Sequence, residues 1–133
     1  MAQQVVARYQ DGRILKGISL DIDPAKPLFH IRSPDSPAVQ VALSDLKALF
    51  FVRSLEGDPA YHDDPTPDPA DPRARGATIV RITFGDGEVL VGMTLHYPAT
   101  RPYFYVTPVD PKSNNIRALV NRAAIVSMEA VTS

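Results

Sequence analysis

Two segments of the chain have apolar residues at every second position and end in an Asp-Gly pair. Alternation of this kind predicts β-strands with one buried face. The alternating apolar positions are Val5, Ala7 and Tyr9 in the first segment and Val80, Ile82 and Phe84 in the second. We therefore expect these side chains to face the core, with the side chains between them on the opposite face.

Each alternating segment continues through a tight turn into a second, longer strand. Asp11-Gly12 and Asp86-Gly87 are typical of β-hairpin turns, because glycine adopts positive φ at little cost and aspartate tolerates the turn. A further glycine follows five residues after each turn glycine, at Gly17 and Gly92. A glycine inside a strand marks a sharp bend or a close backbone approach, so we expect the second strand to bend there.

The likeness between the two segments extends over about 50 residues. At an offset of 75, Leu15 matches Leu90 and Phe29 matches Phe104. After one inserted residue, Ala42 matches Ala118. Each unit is predicted to hold five short strands with one 3₁₀ turn before the last, so the fold class is all-β: two tandem SH3-like or Sm-like small barrels related by internal duplication.

This pattern divides the chain into a first barrel at residues 1–55, a linker at 56–76 and a second barrel at 77–133. We call residues 1–55 the N-terminal unit and residues 77–133 the C-terminal unit. The linker is rich in proline and aspartate, which predicts an extended, solvated segment. A barrel of about 50 residues buries little surface, so the units are expected to pack on each other or on a second chain. Phe51 is the interface candidate, because the alternation that places Phe50 and Val52 inward leaves it outward.

Composition excludes several classes of protein. The 133 residues are 44% hydrophobic and 22% charged, with a net charge of −1, which is typical of a soluble globular domain and argues against a broad grip on nucleic acid or anionic lipid. Cysteine is absent. No secretory signal and no run of about 18 apolar residues is present, so a cytoplasmic protein without a membrane partner is expected.

The sequence lacks a catalytic or metal-binding pattern. The three histidines, His30, His62 and His96, are not spaced as metal ligands, and the carboxylates are not arranged as a catalytic pair. Nucleophile elbows, dinucleotide fingerprints and P-loops are also absent. We therefore predict no enzyme activity, no metal and no cofactor, and a hydrolase ranks third among the functions considered.

One aromatic segment is the candidate binding site. Tyr103 and Tyr105 share the strand face opposite Phe104 and could stack on a base, a nucleotide or a peptide. Aromatic residues are also favoured in strands for packing alone, so a purely structural role stays open. The candidate binding residues are His96, Tyr97, Arg101, Tyr103 and Tyr105.

Two family resemblances accompany these patterns. The run Asp-Gly-Arg-x-x-x-Gly at residues 11–17, followed by a hydrophobic strand, resembles the first signature of Sm-like RNA-binding proteins. More extensively, residues 5–31 and 43–52 resemble an uncharacterised group of bacterial domains, some of which accompany PilZ domains. The second resemblance implies a small β-barrel in a signalling or regulatory setting. The cyclic-dinucleotide motifs of PilZ domains are absent, so that ligand is not predicted.

The function expected from these observations is a non-enzymatic bacterial signalling module that binds a protein partner or a second copy of itself. The alternative is an Sm-like RNA or nucleotide binder that uses the aromatic segment. Nucleic acid is the less favoured partner because the net charge is slightly negative.

Overall fold

The computed structural model describes residues 2–34 and 37–131, and the regular structure in them is β-strand with short 3₁₀ turns and no α-helix. The all-β prediction is confirmed. The N-terminal unit contains β1 (Gln3–Tyr9), β2 (Ile14–Ser19), β3 (Leu28–Ile31), β4 (Val39–Ala42) and β5 (Leu46–Val52). The C-terminal unit contains β6 (Thr78–Phe84), β7 (Val89–Thr94), β8 (Tyr103–Pro108), β9 (Asn115–Asn121) and β10 (Ile125–Ala130). The 3₁₀ turns are Leu43–Asp45 before β5, Pro72–Ala74 in the linker and Arg122–Ala124 before β10.

Eight of these strands form one antiparallel sheet in the order β10-β6-β7-β8-β9-β5-β1-β2. β3 and β4 form a separate pair, which a single bridge between Ile18 and Arg32 joins to β2. The prediction of two separate barrels is therefore wrong in one respect, since neither unit closes on itself. The reason is that β5 hydrogen-bonds to β9 of the other unit, which merges two sheet edges that each unit would otherwise leave unpaired.

Two large hydrophobic clusters lie on opposite faces of this sheet. The N-terminal cluster consists of Val5, Ala7, Phe29, Ile31, Val41, Leu43, Leu46, Leu49, Phe51 and Leu119. The C-terminal cluster consists of Val6, Ala48, Phe50, Val52, Val80, Ile82, Phe84, Phe104, Val106, Ala118, Val120 and Ala124. Each cluster thus contains residues from both units, so neither core is complete without the other unit.

The Asp-Gly turns have the predicted geometry. Gly12 and Gly87 have φ of 95° and 89°, which favours glycine over any residue with a Cβ. In each turn the glycine N–H donates to the carbonyl three residues before it, at 3.1 and 2.9 Å. The Asp11 and Asp86 carboxylates accept the N–H two residues after them, at 3.0 and 2.9 Å. These acidic residues therefore stabilise the turns.

Gly17 and Gly92 are required because the next strand lies against them. A Cβ built on Gly17 would lie 2.6 Å from Ile31 Cγ2, and one built on Gly92 would lie 2.7 Å from the Thr107 carbonyl oxygen. Both glycines are buried and have ordinary negative-φ backbone. Their role is close backbone approach, one of the two roles expected for a glycine inside a strand.

The strand pairing shows that the match between the two units, as predicted from the sequence, is wrong near the end of each unit. β3 pairs Leu28 with Ala42, and β8 pairs the equivalent Tyr103 with Asn121, so Ala42 corresponds to Asn121 and not to Ala118. The discrepancy arises because the hairpin of the third and fourth strands is longer in the C-terminal unit: Ile31 pairs with Val39, eight residues on, whereas the equivalent Val106 pairs with Ala118, twelve residues on. In the same register, Phe51 opposite Val5 corresponds to Ala130 opposite Val80.

The linker is less detached than its composition predicted. Buried Asp110 accepts hydrogen bonds from the Tyr61 hydroxyl and, at 2.8 Å, from the Asp64 N–H. Burial raises the pKa of Asp110, but these bonds and one from the Lys112 N–H outweigh it and hold that pKa below its usual value. Further along, Ala74 packs against a small third cluster of Val91, Met93 and Val109. The segment is mostly exposed but attached at both places.

Candidate functional site

The pairing of β5 with β9, which we call the joint, is the feature that organises the surrounding surface. Leu49 pairs with Leu119 across it, and both side chains enter the N-terminal cluster. The neighbouring pair, Phe50 and Ala118, points to the opposite face and enters the C-terminal cluster. One strand pair therefore supplies both cores.

Phe51 lies at this joint, but its orientation reverses the predicted one. The side chain is 5% exposed and packs in the N-terminal cluster with Leu49, whereas Phe50 points away from that cluster. Its ring centroid is 6.1 Å from that of Tyr105 in the C-terminal unit. The expectation of an outward Phe51 failed because β5 has no solvent face: every one of its seven residues is buried.

Lys47, near the start of β5, links the two units through ion pairs with the C-terminal unit. It is the extra residue of a bulge in β5, between Leu46 opposite Tyr9 and Ala48 opposite Arg8. Its ammonium group lies 2.8 Å from Asp86 Oδ2 and 3.0 Å from Glu88 Oε1, and its side chain is only 7% exposed. The hydrogen bond from Lys47 lowers the pKa of Asp86 below its usual value. Asp86 thus holds the other unit as well as its own turn, a role that turn geometry alone does not reveal.

Lys47→Met is expected to lower the free energy of unfolding by about 1 to 2 kcal/mol at pH 7, because two charged hydrogen bonds to half-exposed carboxylates are lost. The pKa of Asp86 is lower in the folded state than in the unfolded state. The stability that the ion pair contributes is therefore fully present above the unfolded-state pKa and is lost as the pH falls through the folded-state pKa. Urea denaturation at pH 7 and pH 3 should show the difference from wild type shrinking at pH 3.

Arg13→Met is the matched control, because it removes the cation beside Asp11 in the other hairpin, where both partners are more than half exposed. We expect little change in stability from it at either pH. A Lys47→Met effect that is equally large at pH 3 would contradict the ion-pair explanation.

The five candidate binding residues do not form one site. Arg101 and Tyr103 line a groove against the turn at residues 23–27. Tyr97 lines a second groove, together with residues 125–128 of β10. His96 and Tyr105 line a third, which we call the arginine cleft. Tyr103 and Tyr105 share one strand face opposite Phe104, but that face packs against the N-terminal cluster.

The arginine cleft has a volume of about 450 Å³ and brings together three arginines that sequence reasoning missed: Arg73, Arg75 and Arg117. The Arg117 guanidinium carbon lies 4.5 Å from the ring centre of Phe51 and 4.4 Å from that of Tyr105. Arg73 is bound by Asp71 at 2.7 Å and donates to the Val109 carbonyl at 3.0 Å. No local sequence signal identifies this group, because its members come from the linker and β9 and one stacking ring comes from the other unit.

The histidines take separate roles within the described residues. His30 lies 2.7 Å from Asp21, and this hydrogen bond lowers the pKa of Asp21. His62 is exposed in the linker, and His96 donates its backbone N–H to Thr94 Oγ1. Residues 2–34 and 37–131 contain no group of three side chains suited to hold a metal ion.

Comparison with known proteins yields one match. A family model described as a family of unknown function (DUF6982) covers residues 1–132. The chain belongs to this family. A search of curated proteins and a search of solved structures each found no match. Membership in DUF6982 agrees with the predicted resemblance to an uncharacterised group. Within the described part of this DUF6982 chain, no helix is long and apolar enough to cross a membrane.

Proposed function

We propose that the chain is a non-enzymatic, cytoplasmic module of bacterial signalling that acts through protein contacts, foremost with a second copy of itself. The single observation that carries this proposal is the joint. There the fifth strand of one unit pairs with the fourth strand of the other, and, of the strands that the structure describes, the remaining fifth and fourth strands each have one edge without a paired strand.

The leftover strands are β10 and β4. Among the described strands, β10 pairs only with β6, and β4 pairs only with β3. β10 is the fifth strand of its unit and β4 is the fourth strand of its unit. A second copy can therefore place its β10 along β4 and repeat the joint. Such a head-to-tail contact closes into a ring if the rotation closes, and otherwise extends.

Side chains at these edges predict a weaker contact than the joint. The register equates Glu129 with Phe50 and Ser127 with Ala48, so β10 presents polar residues where β5 presents apolar ones. Val39, at the position of Ala118, is 40% exposed and would lie opposite Glu129 of the second copy. We expect association that is reversible and depends on concentration.

The proposal includes an origin of the two units by duplication of one small SH3-like or Sm-like barrel. Its support is the shared strand order with one 3₁₀ turn before the fifth strand, and the Asp-Gly turn and strand glycine at matching places. In this account the joint opened both barrels into one sheet.

Val39→Glu is expected to abolish self-association, because it places a second carboxylate opposite Glu129 of the next copy. Sedimentation equilibrium over a hundredfold range of concentration measures the effect. Val39→Lys is the matched control, since it changes the same exposed position but attracts Glu129, and it should associate at least as well as wild type.

Two results would contradict the self-association proposal. One is a wild-type chain that stays monomeric at every concentration. The other is identical behaviour of Val39→Glu and Val39→Lys, which would place the contact elsewhere than on β4 and β10.

A further inference from the structure

The arginine cleft combines positive charge with an absence of carboxylates in its wall. Among its ten lining residues are three arginines and a histidine, and none is an aspartate or glutamate. Asp71 neutralises Arg73 from outside the lining. In the described residues, Arg75 and Arg117 form no ion pair, so two guanidinium groups face the cleft with uncompensated charge.

Arg117 is already held in place. Its guanidinium carbon lies over both aromatic rings, 4.5 Å from the centre of Phe51 and 4.4 Å from that of Tyr105, and the two ring centres are 6.1 Å apart. These cation–π contacts restrain the side chain, so less of its entropy is lost when its N–H groups bind a ligand. The aromatic rings lie on different units, so the arrangement depends on the joint.

The described lining of the equivalent groove in the N-terminal unit contains a single arginine, Arg32, and also a carboxylate, Asp21. The register places Ala38 where Arg117 lies, and Asp21 where His96 lies. His30, in the position of Tyr105, is bound to Asp21. Both units thus have a groove at this place, but only the C-terminal groove has several arginines and no carboxylate in its described lining.

We propose that the arginine cleft binds a small molecule through its phosphate group. A phosphate presents three acceptor oxygens and close to two negative charges, which match two guanidinium groups beside an imidazole better than a carboxylate does. Met93 and Leu95 supply an apolar wall for the organic part of the ligand, and the volume of about 450 Å³ is that of a small-molecule site.

Isothermal titration calorimetry with AMP, pyrophosphate, adenosine and succinate tests this proposal. Both phosphate compounds should bind, and adenosine and succinate should not. Tighter binding of AMP than of pyrophosphate would show that the organic part contributes, whereas equal binding would identify the phosphate alone as the ligand. Either result supports the proposal. Binding of adenosine as strong as that of AMP, equal binding of succinate, or no binding of either phosphate compound would overturn it.

Arg75→Ala is the decisive variant, because this side chain is exposed and its removal leaves the fold intact. AMP affinity should fall about tenfold. Arg117→Lys keeps the charge but replaces the planar guanidinium, with its several N–H donors, by an ammonium group. It should weaken AMP binding as well. Arg101→Ala is the control: it removes an exposed arginine outside the cleft, and AMP affinity should not change. An equal loss in Arg101→Ala and Arg75→Ala would indicate only general charge attraction and would overturn the proposed site.

Discussion

Phe50→Ala is expected to lower the free energy of unfolding by about 3 to 5 kcal/mol, the usual range for removing a fully buried phenylalanine. Phe50 belongs to β5 of the N-terminal unit, yet it is 3% exposed inside the C-terminal cluster. A cavity there weakens the core of one unit and the docking of the other at the same time. Urea denaturation should therefore show a single transition moved to lower urea concentration.

The control for this substitution is Leu20→Ala, in which a leucine that is 71% exposed loses the same kind of apolar surface without leaving a cavity. Its stability should stay within about 0.5 kcal/mol of wild type. If Phe50→Ala produced two separate transitions, the units would be independent and the shared core would be the wrong description.

Gly92→Val is expected to cost about 3 kcal/mol, the upper end of the range for overpacking a core. A Cβ at this position meets the backbone of Thr107 as well as the Val106 side chain, and a backbone carbonyl in a paired strand cannot move aside as a flexible side chain can. Thermal denaturation followed by circular dichroism measures the loss.

Gly85→Ala is the matched glycine control. Its φ is not positive, and the nearest atom to a Cβ built there is Val126 Cγ2 at 3.9 Å, which is ordinary contact. We expect almost no change in melting temperature. Equal melting temperatures for Gly92→Val and wild type would mean that β7 and β8 do not approach as closely as described.

Local patterns in the sequence were sufficient to predict the strands and the turns. Alternating apolar residues identified the buried face of β6 and the burial of Val5 and Ala7 in β1, although Val6 between them is buried on the opposite face. Each Asp-Gly pair identified a hairpin with positive φ at Gly12 and Gly87. These features depend on neighbours in the chain, which is why the sequence reveals them.

The joint could not be predicted in the same way. The run at residues 49–52 is apolar at every position, so alternation cannot decide which face belongs to which core. Phe51 was assigned outward on an alignment that was three residues out of register near the end of the units. A run that is apolar at every position is typical of a strand buried on both faces, which is the arrangement of β5 between the two cores.

The sites were missed for a related reason. Lys47 reaches Asp86 and Glu88, and Arg117 stacks on Phe51, across a boundary that the sequence treats as the end of a domain. Contacts of this kind depend on how the two units pack against each other. The residue pattern and motif spacing of the sequence carry no information about that packing. The aromatic segment was a sound stacking candidate, but most of its face is occupied by the N-terminal cluster.

Because the two units share their cores, we expect them to unfold together. Native-state hydrogen exchange on wild type and Phe50→Ala tests it most directly, by comparing the slowest amides of β1 with those of β6. We predict one common opening free energy for both strands in wild type, lowered by the same amount in both by the substitution. A substitution that lowered it in β6 and left β1 unchanged would contradict the claim.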